Sequence, residues 1–407
     1  MVSPRTARLV LSLNGDVIGA LPPLAVETPW WQDIAPVVRA VRDRFGLRIV
    51  VLRLLSNERL QPPGGEVTYL AELMETAGSV HLPLTPWPTA IDDQALRASY
   101  ARPGGPAADL AWAMSALAKH SLRVTDAPEQ IRTWNLSSVW RLPVSKGAVW
   151  LKVLPTFMTP EGPLLTKLAG APVPTVLGHD GWRCLLADIP GRDLYDAEPS
   201  QILGMVTLLV ELQARWLNDV DALLTCGIAD WRHDALVAAI ADVVERTAAE
   251  LPSDAVKLLS KFVAELPGRF QALATCGLPD TLVHGDFHPG NFRGDGADIT
   301  LLDWGEGFIG HPLLDQSALL ERVSETQVTQ VAAVERHWEQ CWQSHIPHCD
   351  PRRAARLLMP VATARRAMIY RRFLDHIEPA EHPYHRTDPR DWLLQTAALL
   401  HRGDGVS

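Results

Sequence analysis

Apolar and polar positions along the first 125 residues follow two periods, and each period predicts an element. Apolar runs at 7–13 and 47–55 predict strands, and Val67-Thr68-Tyr69-Leu70 predicts another after the turn material Gln61-Pro62-Pro63-Gly64-Gly65. Residues 30–45 and 108–120 carry apolar positions at helical spacing, separated from what precedes the second by a Pro- and Gly-rich boundary at 101–107. Between 130 and 190 short strands dominate. Runs at 134–142 and 147–154 flank the turn Ser145-Lys146-Gly147, a helical pattern covers 162–169, and a strand at 183–189 ends in Pro190-Gly191. Leu203, Val206, Leu209 and Val210 then recur on one helical face, so helices are expected over 195–275. A strand–loop–strand passage occupies 281–304, and helices resume to the end.

The pattern predicts an α+β chain in three parts: a mixed N-terminal domain at 1–125, a small β-rich lobe at 126–191, and a large helical lobe at 192–407. A length of 407 residues fits two or three domains. Hydrophobic residues at 47% supply sizeable cores and argue against global disorder. The net charge of −9 repels phosphate backbones and anionic lipid, so neither nucleic acid nor membrane is the expected partner. No window approaches an uninterrupted membrane span, Asn14 and Asp16 break the first apolar run too soon for a signal peptide, and five cysteines show no C-x-x-C pair. A soluble, cytoplasmic protein is expected.

Chemistry concentrates in Leu282-Val283-His284-Gly285-Asp286-Phe287-His288-Pro289-Gly290-Asn291 and in Ile299-Thr300-Leu301-Leu302-Asp303-Trp304. A strand leads into a loop holding Asp286 and Asn291 five apart, and a second apolar strand ends in Asp303. Phosphoryl transfer needs such a set. Mg²⁺ takes hard oxygen ligands and keeps several waters, so one carboxylate and one amide oxygen suffice beside phosphate oxygens. Asp303 and Asn291 fit those roles. A separate carboxylate must accept or orient the proton of the attacking hydroxyl, and Asp286 fits that one. Upstream, Lys152 sits inside the apolar run Ala148-Val149-Trp150-Leu151-Lys152-Val153-Leu154, where an unpaired ammonium is costly and a phosphate and a carboxylate would neutralise it.

His-Gly-Asp-x-x-x-x-Asn followed by Asp-Trp resembles the aminoglycoside phosphotransferase and choline kinase family, relatives of the protein kinases. Gly310, Pro312 and Asp315, seven, nine and twelve residues after Asp303, agree with the same pattern. The resemblance implies a bilobal kinase-like fold over 126–407, with an additional domain ahead of it. It implies Asp286 as the catalytic base or hydroxyl-orienting group, Asn291 and Asp303 as Mg²⁺ ligands, and ATP or GTP as co-substrate. His284 and Asp315 are expected to hold the loop by hydrogen bonds. Lys152 would hold the α/β-phosphates and pair with a glutamate on the next helix, for which Glu161 is the candidate. Ser137 and Ser138, in a glycine-free passage with Asn135 and Leu136, occupy the place of the nucleotide-covering loop. Asp188 and Ile189, before Pro190-Gly191, resemble the hinge that meets the purine.

Other features carry less. Gly305-Glu306-Gly307-Phe308-Ile309-Gly310 matches G-x-G-x-x-G, but a helical pattern at 317–342 follows where a dinucleotide fold needs a strand. His284 and His288 lack the glutamate of a zinc helix. Between Asp188 and Asp254 thirteen acids stand against four arginines, which reads as a set of solvated helix faces or as a negative surface for an amine-bearing acceptor, an aminoglycoside or another amino sugar or antibiotic. Arginines 352, 353, 356, 365, 366, 371 and 372 read as a solvated or salt-bridged helix face, and as a substrate signal they point the other way, towards an anion. The expected activity is transfer of a γ-phosphate to the hydroxyl of a small molecule. The alternative is a catalytically impaired nucleotide-binding module, motivated by the glycine-free covering loop and by Gly305. Oligomeric state is not legible.

Overall fold

The computed structural model describes residues 4–74, 82–88, 92–296, 298–326 and 328–403, with the backbone alone at 324–326 and 328. The chain forms two compact units, the first from residues 1–158, 176–188 and 373–386, the second from 159–175, 189–372 and 387–407. Residues 373–386 lie in the part expected to be the helical lobe, yet group with the first unit.

The first unit holds two sheets. β1 (Arg5–Leu13) pairs with β2 (Asp16–Ala20) and β3 (Leu24–Val26), and after α1 (Ala35–Phe45) the strands β4 (Ile49–Asn57) and β5 (Gly65–Leu73) complete a sheet of order β2-β1-β5-β4. β5 runs parallel to β1 and antiparallel to β4. The apolar runs of these strands are near continuous because the sheet is covered on both faces. Alternation sends Leu9, Leu11, Ile49 and Val51 to one core with Val37 and Val41 of α1. Val10, Val50 and Leu52 face the other core, shared with Leu110, Ala113 and Leu117 of α2 (Gly105–Lys119).

The second sheet is antiparallel: β6 (Glu129–Trp134), β7 (Ser137–Val144), β8 (Gly147–Val153), β9 (Val176–Asp180) and β10 (Arg183–Ala187), in order β6-β7-β8-β10-β9. Trp140, Leu142, Leu151 and Leu185 enter the core that holds α2. Gln130 joins the sheets within this unit, its side-chain amide donating to Val51 O at 2.7 Å and accepting from Val51 N at 2.9 Å. The segment 373–386 is anchored by side chains. Arg97 binds the Glu378 carboxylate with Nε at 3.1 Å and Nη2 at 2.8 Å, and Glu381 accepts the Leu54 N–H at 2.8 Å.

The second unit is mainly helical. Its elements begin with α3 (Glu161–Lys167), β11 (Arg192–Asp193), α4 (Pro199–Arg215), α5 (Val220–Leu224), β12 (Ala229–Asp230), α6 (His233–Thr247) and α7 (Ser253–Ala274). Then come β13 (Thr281–Val283), β14 (Phe292–Asp295), β15 (Asp298–Leu301), β16 (Phe308–Gly310), α8 (Leu314–Thr326), α9 (Val331–His345), α10 (Pro351–His376) and α11 (Asp388–Arg402). The last turn of α10 belongs to the first unit. Two small sheets, β11-β14-β15 and β12-β16-β13, frame the loop at 284–291. Among the described residues no helix is long and apolar enough to cross a membrane.

Candidate active site

β13 is buried along its whole length, and its ladder with β16 aligns Val283 with Phe308. The chain leaves this strand at His284 and turns at Gly285, whose φ of +93° favours glycine. A Cβ there would stand 2.4 Å from Glu306 O, so the position excludes any side chain. Asp315, at the start of α8, fixes the turn: its Oδ2 accepts His284 N–H and its Oδ1 accepts Gly285 N–H, both at 2.8 Å. Gln213 donates to the same carboxylate at 3.1 Å.

His284 is buried, with Nε2 2.7 Å from Leu302 O and Nδ1 receiving the Asp286 N–H at 3.3 Å. These partners assign the ring proton to Nε2. Burial lowers its basicity, against the pull of Asp315. His284 therefore links the loop to the end of the β14–β15 hairpin as a neutral ring.

Asp286 is 45% exposed at the side chain, so its carboxylate opens to solvent. Burial pushes this carboxyl up, but the hydrogen bond and proximity of His288 at 3.3 Å, then His284 and Asn291, outweigh it and hold the group well below the usual range. Asn291 Nδ2 donates to Asp286 O at 2.8 Å and to Asp286 Oδ2 at 3.0 Å. That spends the amide's donors on Asp286 and leaves Asn291 Oδ1, a hard oxygen, for a cation. Asp303 ends the hairpin's second strand in the left-handed region at φ +60°, a conformation Asp tolerates and most other side chains resist. Its exposed carboxylate and Asn291 Oδ1 fit an ion that completes its shell with water and phosphate oxygens. Among the described residues no group of three or more His, Cys, Asp or Glu could hold a metal by itself.

Residues after Asp303 are braced from α3. Glu161, 2% exposed, accepts Trp304 N–H at 2.9 Å, while Thr159 donates its N–H to Gly305 O at 2.9 Å and its hydroxyl to Gly307 O at 2.7 Å. Glu306, next in the chain, is pushed up to about 8 by burial and by the Asp286 charge, with Arg365 opposing. Arg365 of α10 is buried, stacks 4.2 Å over the Phe308 ring, and reaches Gly285 O at 3.5 Å. Glu306, Arg365 and Thr159 escaped the sequence reading. Only the run of arginines at 352–372 signalled any of them, without distinguishing Arg365.

The remaining expected residues lie around the second sheet of the first unit and at its exit. Lys152 is half-buried on β8, between Val139 and Cys184 on the flanking strands. Asp188 is exposed and accepts the Trp150 indole N–H at 2.7 Å. Ile189 O accepts Arg293 Nε at 2.8 Å.

The expectation of a hydroxyl-bearing covering loop falls on Ser137 and Ser138. Both are buried, and their Oγ atoms accept the indole N–H groups of Trp134 and Trp140 at 3.1 Å, since a buried indole needs an acceptor. The turn itself is Asn135-Leu136. Asn135 donates to Glu381 O at 3.4 Å and meets His385 Nε2 at 3.1 Å through Oδ1. The G-x-G-x-x-G stretch falls on a 3₁₀ turn at Trp304–Glu306 and on β16, which α8 follows.

A sequence model of the phosphotransferase enzyme family matches residues 149–348. No curated protein matches the sequence. Among solved structures, an ethanolamine kinase of Plasmodium vivax aligns over 70% of this chain and 85% of its own, at 10% identity and a TM-score of 0.50. A choline/ethanolamine kinase family protein of Mesorhizobium loti aligns over 68% and 89% at 17% identity and a TM-score of 0.48. Aminoglycoside 2'-phosphotransferase-IIIa in its GDP complex aligns over 71% and 98% at 16% identity and a TM-score of 0.48. Residues 149–348 carry the match to the phosphotransferase enzyme family, and the chain is a small-molecule kinase of mixed α+β, kinase-like fold, with residues 1–148 ahead of the matched segment.

Proposed function

We propose that the chain transfers the γ-phosphate of ATP or GTP to a hydroxyl of a small molecule in a Mg²⁺-dependent reaction. The observation that carries this reading is the Asp286 carboxylate, ionised, nearly half exposed and oriented by Asn291 Nδ2 and His288. A carboxylate held so far below its usual range is a weak base. Its work is to accept the hydrogen bond of the acceptor hydroxyl and aim the oxygen, taking the proton late, as a loose phosphoryl-transfer transition state allows. Asn291 Oδ1 and Asp303 would hold Mg²⁺, which supplies charge neutralisation on the transferred group. Lys152 contributes its ammonium to the nucleotide phosphates, and the backbone at Asp188 and Ile189 meets the base. Residues 1–125 form a domain ahead of the lobes 126–191 and 192–407.

The acceptor class follows from charge. Asp286 and Asp303 carry negative charge at one loop cluster, and the acidic stretch 188–254 has the same sign, which favours a hydroxylated amine such as an amino sugar or an aminoglycoside.

The test is turnover of purified protein with ATP or GTP, Mg²⁺ and a panel of hydroxylated amines, sugars and nucleosides. Asp286→Ala is expected to abolish transfer while nucleotide binding survives, and near-normal turnover would end the assignment. Asp303→Asn is expected to cost roughly 10²–10³-fold in turnover and to raise the Mg²⁺ requirement. The second reading, a nucleotide-binding module without turnover, draws on the burial of Ser137 and Ser138. Transfer or triphosphate hydrolysis above background discards it.

A further inference from the structure

Tyr195 follows β11 and leaves 61% of its surface in water. The backbone around it is anchored. Leu194 and Ala197 are buried, and Leu194 donates its N–H to Phe292 O at 3.0 Å, beside the ladder that pairs Asp193 with Arg293. This places the tyrosine ring against the loop at 284–291. A Cβ built on Gly290 would stand 2.5 Å from Tyr195 Cε1 and 2.8 Å from His288 Cε1, so glycine at this position lets both side chains rest on the loop backbone.

His288 also touches the Asp286 carboxylate. Its Nε2 lies 3.3 Å from Asp286 Oδ2, while its Nδ1 accepts Gly290 N–H at 3.0 Å. Tyr195 and Asp286 therefore share one neighbour. This edge of the loop carries an exposed aromatic ring, an imidazole and a half-exposed carboxylate within a few side-chain widths. Such a mixture suits a ligand with two characters: an apolar face to lie on the ring and a polar rim to meet the hydrogen-bonding groups. A sugar has both, in the C–H face of its ring and its hydroxyls. An open-chain amino alcohol has hydroxyl and ammonium but no face to stack.

We propose that Tyr195 is an acceptor-binding residue, the platform for a saturated, hydroxylated ring with one hydroxyl at Asp286, so that the acceptor is cyclic, as an amino sugar is. The inference rests on the phosphotransferase reading and sharpens its acceptor class.

Calorimetry and saturation-transfer NMR on the full chain, with ADP and Mg²⁺ in excess, test it with glucosamine and kanamycin as ring probes and ethanolamine as the open-chain probe. Saturable binding of at least one ring probe is expected, weakened about tenfold by Tyr195→Leu and markedly less by Tyr195→Phe. Tyr195→Trp, which enlarges the aromatic face, should bind no more weakly than Tyr195→Phe, and it keeps the test open should the leucine variant fail to fold. Ethanolamine binding and ADP affinity should not follow the ring probes. No saturable binding of either ring probe, binding indifferent to loss of the aromatic face, an equal loss for ethanolamine, or a loss confined to ADP overturns the proposal. In turnover, Tyr195→Leu is expected to raise the acceptor KM about tenfold with the nucleotide KM unmoved. An active enzyme indifferent to the variant removes the platform and leaves the phosphotransferase reading standing. Absence of turnover with every acceptor speaks against that reading, while the dependence of ring binding on Tyr195 still decides the platform.

Discussion

Glu161 accepts the backbone N–H of Trp304 at 2.9 Å, so a carboxylate at the start of α3 fixes the residue that follows Asp303. Glu161→Ala is expected to lower kcat about tenfold to hundredfold by loosening the Asp303 segment, and Glu161→Gln, which keeps an acceptor oxygen, should lose less. Non-additive losses of nucleotide affinity in Glu161→Ala and Lys152→Ala would give Glu161 a second role. A double-mutant cycle on nucleotide binding and on kcat separates the roles.

Asp315 holds two consecutive N–H groups of the turn at Gly285 and receives Gln213. In Asp315→Asn one amide oxygen must replace two carboxylate oxygens, leaving a buried donor unmet at about 1–3 kcal/mol. Denaturant unfolding should show that loss, and turnover should fall with it. Gln213→Leu removes only the flanking donor and should cost less in turnover.

Arg365 stacks on Phe308 and reaches Gly285 O, and burial lowers its pKa to about 10 with Glu306 opposing, so it remains charged at neutral pH. Arg365→Met is expected to reduce kcat about tenfold or more while leaving nucleotide affinity near wild type, with Arg365→Lys intermediate. Equal effects on kcat and on nucleotide affinity would argue against a role at the turn.

Glu381 is pushed up to about 8 by burial, although Leu54 N–H donates to it. The folded state therefore holds a proton that the unfolded chain gives up near the ordinary glutamate value. Stability contributed by this group is full at low pH and declines as pH rises towards 8, by at most about 1.4 kcal/mol per pH unit. Thermal melts of Glu381→Gln should show a flatter dependence between pH 5 and 8, and a higher Tm than wild type at the alkaline end.

The turn after β13 is legible as a structural unit because its signals are local: a buried strand, a glycine and three oxygen-bearing side chains within twenty-two residues. Strands at 47–55 and 147–154 were legible for the same reason. What escaped depends on distant partners. The helix expected from residue 30 starts at Ala35, because the Arg5 guanidinium takes the carbonyls of Trp30, Trp31 and Asp33 and draws that stretch out of a helix. The run 134–142 is split by the Asn135-Leu136 turn, which shares its asparagine with His385. The helical pattern at 317–342 is two helices, ending at Thr326 and restarting at Val331. Nothing near residue 380 announces that Glu378 and Glu381 answer to Arg97 and Leu54, hundreds of positions earlier.

The polypeptide passes from one unit to the other five times, after residues 158, 175, 188, 372 and 386. Neither unit is consequently a continuous piece of chain. A fragment stopping at 158 would lack β9 and β10, two of the five strands of its second sheet, and one starting at 189 would leave out the helix that carries Glu161. Dissection of this enzyme into expressible halves calls for rejoined ends or co-expressed fragments, and a protease nick in any single linker should leave both pieces associated.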